Sequence, residues 1–221
     1  MNYLVLYSNR KTVSLHVNPN GEVVVRASKW HPKYLIQKFV DHHQDWIVKQ
    51  IAAKQKVKKQ FVEGGLFLYM GQEYPLRIIQ PYHRNKLEFD GETFNLSLTF
   101  PSVGEGRLHA LFVDWYKTQA KKVLAERLIL FAKAMNLHYK RMSIKSTISR
   151  WGSCSSIGNI NFSYKLIMAP LEVADYVVVH ELAHLAHHNH SEKFWQLVEQ
   201  FCPYYKQRRK WLRVHGGHLT I

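Results

Sequence analysis

The sequence has few cysteines, few acidic residues and no long apolar run in its 221 residues. Its two cysteines, Cys154 and Cys202, are too few for a disulfide framework, so we expect a reducing, cytoplasmic location. The absence of an apolar run of about 18 residues excludes a transmembrane helix, and we expect no membrane partner. Residues 1–10 have no basic segment before their short apolar run, which predicts a first strand and not a signal peptide.

Acidic residues number 16 against 31 basic ones, which leaves a net charge of +15. This excess favours an anionic partner such as nucleic acid, a nucleotide or an acidic protein, although solubility alone also accounts for surface charge. No known DNA-reading motif occurs, so sequence-specific DNA binding is not expected. The basic residues cluster at 54–59, 117–127, 140–141 and 206–210.

The segment 180–190 reads HELAHLAHHNH and is the strongest chemical signal in the chain. On a helix, His180 and His184 lie about 40° apart on one face and one turn of ~5.4 Å apart along the axis, so both can bind one divalent ion. His190 is the candidate third ligand. Glu181 lies beside this face, where it suits a general base that accepts a proton from water at the metal. We expect the helix to end near residues 188–189, with Asn189 in a left-handed turn that returns His190 to the ion.

The residues before the motif favour a central helix, because Val177, Val178 and Val179 would not precede it on a solvated surface helix. A histidine-rich surface helix is the alternative. His187 and His188 are interpreted as helix-end or surface residues. Three imidazoles suit zinc, and also nickel, cobalt or copper. The expected cofactor is one zinc ion per chain.

Periodicity predicts an α+β protein. Strands are expected at 3–7, 12–17, 22–26, 66–69, 74–79, 86–89, 93–98, 144–148 and 160–166, and helices from 32 past 51 and over 108–135, 171–188, 192–201 and 204–214. Turns at 18–21, at Gly71 and at 90–91 make three hairpins. The loop at 101–106 divides a β-rich part with one helix, 1–104, from a catalytic part, 105–221, as separate domains or one compact unit.

The segment 150–159 is predicted to be a loop rich in small residues between two strands. Trp151, Gly152, Ser153 and Cys154 are candidate substrate-binding residues, because small residues let backbone approach a ligand and a strand edge can pair with an extended substrate. A plain hairpin with a tryptophan packed beneath it is the alternative. Cys154 is interpreted as a packed thiol and not a nucleophile, since no partner base is recognisable.

Several of these motifs together resemble the YgjP-like metallopeptidase family. The matching residues are the segment 180–184, His190, Ser191, Phe194, Trp195, the loop 150–155, Ala169, Pro170, Pro203, Tyr205, Arg209, Trp211, Leu212, His215 and Gly216. The resemblance implies a zincin-like fold, zinc ligands His180, His184 and His190, and Glu181 as general base. The family is similar in its helix motif to SprT-like proteases, some of which act on proteins bound to DNA. A metzincin would need glycine where His187 stands, and no Met-turn is evident.

The sequence therefore predicts a zinc-dependent peptidase that acts on a protein or peptide. Tyr164, Tyr205 and Arg150 are candidates for stabilising the oxyanion. One alternative is a metal-dependent hydrolase of nucleotides or other phosphoanhydrides, although no glycine-rich phosphate loop supports it. Another is a DNA-associated protease of the SprT-like type.

Overall fold

The structure is a computed structural model that describes residues 2–18, 21–56, 61–79, 83–99, 103–147 and 150–221, with the backbone alone for 52–56. It divides into two compact units, Met1–Lys58 and Lys59–Ile221. The boundary predicted between residues 104 and 105 lies inside the second unit. Helices and strands both occur in each unit, which confirms the α+β class. No helix in the described ranges is both long and apolar enough to cross a bilayer.

The first unit contains a three-stranded sheet and two helices. The strands are β1 (Tyr3–Tyr7), β2 (Ser14–Val17) and β3 (Val23–Ala27), in the order β1-β3-β2. Strand β2 pairs antiparallel with β3, which confirms the first hairpin, whereas β1 pairs with β3 in parallel. Residues 19 and 20 of the hairpin turn lie outside the described part. The helices are α1 (Lys33–His42) and α2 (Gln44–Lys56).

The single helix predicted from residue 32 is interrupted at His43. The backbone there has φ −104° and ψ 15°, and the His43 ring Nδ1 lies 2.7 Å from the carbonyl oxygen of Phe39. This contact caps the last turn of α1. The apolar pattern did not reveal this break, because the buried residues Val40 and Ile47 continue the pattern on either side of His43. The side chains of the basic cluster at 54–59 lie outside the described residues.

The second unit begins with a four-stranded sheet. It contains β4 (Leu66–Tyr69), β5 (Gln72–Ile79), β6 (Lys86–Phe89) and β7 (Phe94–Ser97), in the order β4-β5-β7-β6. The pairs β4–β5 and β6–β7 are antiparallel, as predicted, and β5 and β7 are parallel.

Helix α3 (Glu105–Ala134) follows this sheet and carries the predicted apolar stripe. Leu108, Phe112, Tyr116, Ala120, Leu124 and Leu128 are all buried. The Phe112 ring stacks on Phe67 of β4 with 4.2 Å between centroids, and Tyr116 donates a hydrogen bond to the Leu68 carbonyl. The stripe is therefore core, as its spacing indicated. Residues 101 and 102 of the predicted boundary loop lie outside the described part.

The second unit contains another sheet of three strands. They are β8 (Arg141–Lys145), β9 (Gly152–Cys154) and β10 (Asn159–Ser163), in the order β8-β10-β9. Strand β10 is parallel to β8 and antiparallel to β9. Three expectations are wrong here. The strand predicted at 144–148 occupies 141–145, and residue 148 itself is not described. The predicted loop 150–159 contains β9. The strand predicted to reach 166 ends at Ser163.

A 3-10 turn, Tyr164–Met168, replaces the end of that strand. Leu166, Ile167 and Met168 are all buried, so this run is covered on every side and its pattern does not distinguish a strand from a helix.

Three helices complete the second unit, α4 (Leu171–Ala186), α5 (Glu192–Phe201) and α6 (Tyr205–His215). Val177, Val178 and Val179 of α4 are buried, so α4 is a central helix as predicted. It ends at Ala186, and His187 is already extended with φ −136° and ψ 105°. The left-handed turn predicted at Asn189 is wrong, because the non-glycine residues with positive φ in the described ranges are Met70 and Asn136.

The turn between β4 and β5 packs against the start of α4. The amides of Met70 and Gly71 donate hydrogen bonds to the carbonyls of Ile167 and Met168, at 2.9 and 3.1 Å. Gly71 has φ +83°, and a methyl group added to it would lie 2.8 Å from Cγ and 2.9 Å from Cα of Pro170. Pro170 immediately precedes α4, so this close approach fixes where α4 begins.

We predict that Gly71→Ala destabilises the protein more than Gly64→Ala. Both glycines have positive φ, but nothing lies within 4 Å of a methyl group added to Gly64. Alanine at residue 64 should cost about 1–2 kcal/mol from the left-handed backbone alone. Alanine at residue 71 adds the clash with Pro170, a further ~1–3 kcal/mol. Urea unfolding of both variants measures the difference, and equal losses would contradict the packing role of Gly71.

Candidate metal centre

His180 and His184 of α4 meet His190 from the segment after it. One nitrogen of each ring lies within 4.8 Å of the other two. Nε2 of His180 is 3.2 Å from Nε2 of His190. Two nitrogens on a tetrahedral zinc ion, with Zn–N distances of about 2.0–2.1 Å, are about 3.3 Å apart. The three side chains therefore fit a single ion, and three ligands leave the open fourth position of a catalytic site.

Aromatic rings of α5 hold the histidines in place. The buried Phe194 ring lies 5.0 Å from the His180 ring and 4.7 Å from the His184 ring, between centroids. The Trp195 ring stacks on His190 at 5.6 Å. Because Phe194 and Trp195 follow His190 by only four and five residues, one short turn supplies both the third histidine and its support.

His180 and His184 are held in the neutral form that binds a metal. Burial, helped by the charges of His184 and His190, lowers the pKa of His180 to about 3. Burial also lowers the pKa of His184, whose Nδ1 lies 3.1 Å from the His187 carbonyl oxygen. Donation from Nδ1 to this carbonyl leaves Nε2 of His184 free for an ion. His180 Nδ1 is buried without such a partner among the described residues.

Glu181 lies next to the histidines and is only 5% exposed. Burial raises its pKa to about 7, while the positive charge of Arg150 acts in the opposite direction. Strand β9 packs directly on this side chain. A methyl group added to Gly152 would lie 2.5 Å from Oε1 and 2.7 Å from Cγ of Glu181. Because Gly152 has no side chain, the Glu181 carboxyl group has room beside β9.

A cavity of about 350 Å³ opens beside Glu181 and His180. The other residues that line it are Arg150, Trp151, Gly152, Tyr176, Val177, Arg209, Leu212 and Arg213. A separate cavity of about 420 Å³ near the end of α3 contains none of the predicted site residues.

Of the four residues predicted to bind substrate, Trp151 and Gly152 line the cavity beside Glu181. Ser153 Oγ instead accepts a hydrogen bond from the Asn161 amide at 3.2 Å. Burial, with a smaller contribution from Glu181, raises the pKa of Cys154 to about 11, so it stays a thiol. That all four bind substrate remains a prediction.

The cavity also contains residues that sequence reasoning did not select for it. Tyr176 precedes His180 by one helical turn, and Arg209 and Arg213 lie one turn apart on α6. The four-residue spacing is the signal that could have grouped them. Of the three predicted oxyanion candidates, Arg150 lines the cavity. Tyr164 and Tyr205 are buried and are not among its lining residues.

The YgjP-like metallopeptidase domain model matches residues 11–215. The chain belongs to the YgjP-like metallopeptidase family. A solved structure, the metallopeptidase zymogen abylysin of Pyrococcus abyssi, is 22% identical to the chain and has a TM-score of 0.39. This match covers 42% of the chain and 93% of abylysin. The comparison with curated proteins found no match.

Membership of the YgjP-like family confirms the resemblance seen in the sequence. The protein is accordingly a metallopeptidase, a hydrolase whose substrates are proteins or peptides. A metallopeptidase requires a metal-binding site, and the three histidines are a group that could provide it.

In this YgjP-like chain, we predict that His190→Ala lowers zinc affinity at least about a hundredfold. Removal of a residue that only hydrogen-bonds a metal ligand already lowers affinity by up to about a hundredfold, and removal of the ligand itself should cost at least as much. His188→Ala is the matched control, since His188 is exposed and lies outside the histidine group. Competition with a fluorescent zinc chelator measures both affinities. Unchanged affinity in His190→Ala would remove His190 from the ligand set.

We also predict that Gly152→Ala lowers peptide hydrolysis about a hundredfold while zinc stays bound, because a shift of about 1 Å in a catalytic group has this effect. The three atoms nearest to the added methyl group all belong to Glu181, so the carboxyl group is displaced first. Gly106→Ala is the control, because nothing lies within 4 Å of a methyl group added there. Steady-state kinetics with zinc analysis separates the two effects, and wild-type activity in Gly152→Ala would contradict the positioning role.

Proposed function

We propose that the protein is a zinc-dependent peptidase in which His180, His184 and His190 hold one zinc ion and Glu181 is the general base. The observation that carries this proposal is the convergence of three imidazoles beside a buried carboxyl group. Bound zinc supplies an acidified water and polarises the scissile carbonyl. Nickel, cobalt and copper suit the same donors, so the choice of zinc is part of the proposal.

Glu181 moves the proton in this mechanism. Its carboxylate accepts a proton from the attacking water and then delivers it to the leaving amine. Burial makes the carboxyl group more basic than usual, which favours the first transfer. The Glu181 side chain occupies the space that a β-carbon at residue 152 would fill, so it lies directly against β9.

Arg150 and Tyr176 are the proposed donors to the oxyanion. Both line the cavity together with His180 and Glu181. Burial raises the pKa of Tyr176 to about 12, so its hydroxyl remains a donor. The guanidinium of Arg150 supplies a fixed positive charge. Donors of this kind are most effective where charge develops in the transition state.

Strand β9 is the proposed site for the substrate backbone. It pairs with β10 on one side and with no other strand in the described ranges. An extended peptide can add to such an edge through main-chain hydrogen bonds. Placement along β9 would bring the peptide past Gly152 and therefore past Glu181.

We predict that Glu181→Gln lowers kcat for a quenched-fluorescent peptide by about 10²–10⁴-fold, the usual contribution of a general base. Glutamine keeps the shape of the side chain but does not accept the proton. Zinc content should equal that of the wild type, because the three histidines are unchanged. Full activity in zinc-loaded Glu181→Gln would contradict the assignment of the base.

The arginines of the cavity also keep a phosphoanhydride hydrolase as a second candidate, because they favour anionic ligands. A nucleoside triphosphate panel should be assayed beside the peptides, with and without chelator. Hydrolysis of nucleotides alone would contradict the peptidase proposal. DNA-associated proteolysis rests on the net charge of +15 and on the likeness of the helix motif to SprT-like proteases.

A further inference from the structure

Two arginines of α6 face the same cavity as the candidate catalytic residues. Arg209 and Arg213 are one helical turn apart, and Leu212 beside them also lines the cavity. Both arginines are exposed, so a ligand can reach them. The one acidic residue in the lining is Glu181, which the proposed mechanism already uses.

Other arginines of this unit are paired with carboxylates, whereas Arg209 and Arg213 have no such pair among the described residues. Arg127 binds Asp175 through two hydrogen bonds of 2.6 and 2.7 Å, and Arg208 lies 3.5 Å from Glu172. In the described part of the chain, no carboxylate forms an ion pair with Arg209 or Arg213. The Arg209 guanidinium lies 5.2 Å above the Trp195 ring, which orients it without neutralising its charge.

The rest of the cavity wall suits a peptide better than a polyphosphate or a nucleic acid. Trp151, Val177 and Leu212 give it apolar walls. Its volume of about 350 Å³ is near the lower end for ligand pockets. Sites for single-stranded nucleic acid instead follow the phosphate backbone along a basic groove.

We propose that Arg209 and Arg213 form a carboxylate-binding subsite that selects acidic peptides as substrates. The guanidinium group matches a carboxylate through paired hydrogen bonds. The carboxylate can come from an Asp or Glu side chain or from the C-terminus of the peptide. This inference rests on the proposed peptidase function, and it specifies the substrate class for that site.

Binding is tested on zinc-loaded Glu181→Gln, in which the predicted loss of kcat slows consumption of the ligand during the titration. The ligands are one peptide series with Glu, Gln or Lys at a single scanned position, each with a free and an amidated C-terminus. Titration calorimetry is run at about 150 mM salt, where long-range charge effects are screened. We expect the best Glu peptide to bind at least about tenfold more tightly than its Gln counterpart, as charge-assisted hydrogen bonds are the stronger ones.

Arg209→Gln and Arg213→Gln, each added to that background, should reduce this preference to about twofold or less, because one guanidinium is lost. Arg208→Gln is the matched control, since it removes the same charge from the same helix at a residue outside the cavity. The preference should survive in this control. If Arg208→Gln weakens it equally, the preference reflects net charge and the subsite is disproved.

The remaining outcomes also decide the inference. A preference kept by amidated Glu peptides supports a side-chain ligand, and one that requires the free C-terminus supports a terminal carboxylate. No preference between Glu and Gln in either series overturns the subsite. It is also overturned if Arg213→Gln weakens binding of a single-stranded oligodeoxynucleotide but not of the Glu peptides.

Turnover by the wild-type enzyme separates this inference from the proposed function. We expect Arg213→Gln to raise KM for Glu peptides with little change in kcat, while Arg213→Lys restores part of the loss. Cleavage of peptides without charge preference overturns the subsite and leaves the peptidase intact. Charge-dependent binding without cleavage of any peptide contradicts the peptidase and supports the carboxylate-binding site.

Discussion

The convergence of the three imidazoles of His180, His184 and His190 is the arrangement on which the candidate metal centre depends. His180 and His184 share a face because they are one turn apart on α4, but His190 reaches them only because α4 stops at Ala186. The chain then reverses before α5 begins at Glu192. The arrangement of the three histidines therefore depends on two features, the buried helix α4 and the reversal of the chain directly after it.

Two close approaches by glycine connect α4 to the two sheets. Gly71 brings the β4–β5 turn against Pro170 at the start of the helix, and Gly152 brings β9 against Glu181 near its middle. A β-carbon at residue 71 would meet the backbone and ring of Pro170, and one at residue 152 would displace the Glu181 carboxyl group. The helix that carries the histidines is thus held at its start by one sheet, and its carboxyl group is confined by the other.

The fold was predictable where local pattern decides it. The stripe of α3, the hairpin strands and the buried valines of α4 follow from periodicity and turn residues. Strand β9 was not predicted, because its sequence Gly-Ser-Cys has little strand propensity. It forms a strand because it pairs with β10. The end of α4 was misplaced because Asn189 is a good left-handed residue, yet the helix already ends at Ala186, three residues before it. The domain boundary proposed at 104/105 falls inside the unit that begins at Lys59.

The site was predictable in part for the same reason. The spacing of His180, Glu181, His184 and His190 is local, and the structure brings the three histidines together. The cavity beside them depends on long-range packing of α4, α6 and β9, which no sequence window contains. Arg209 was therefore grouped only with the basic cluster at 206–210 and Arg213 was not selected, although both share a cavity with Glu181.

The most direct measurement is anomalous diffraction at the zinc absorption edge from crystals of the purified, zinc-loaded protein. We expect one strong peak with ring nitrogens of His180, His184 and His190 at about 2.0–2.1 Å from it. A map without a peak between these rings, or with the ion bound elsewhere by Cys154 or Cys202, would contradict the assignment of the metal centre.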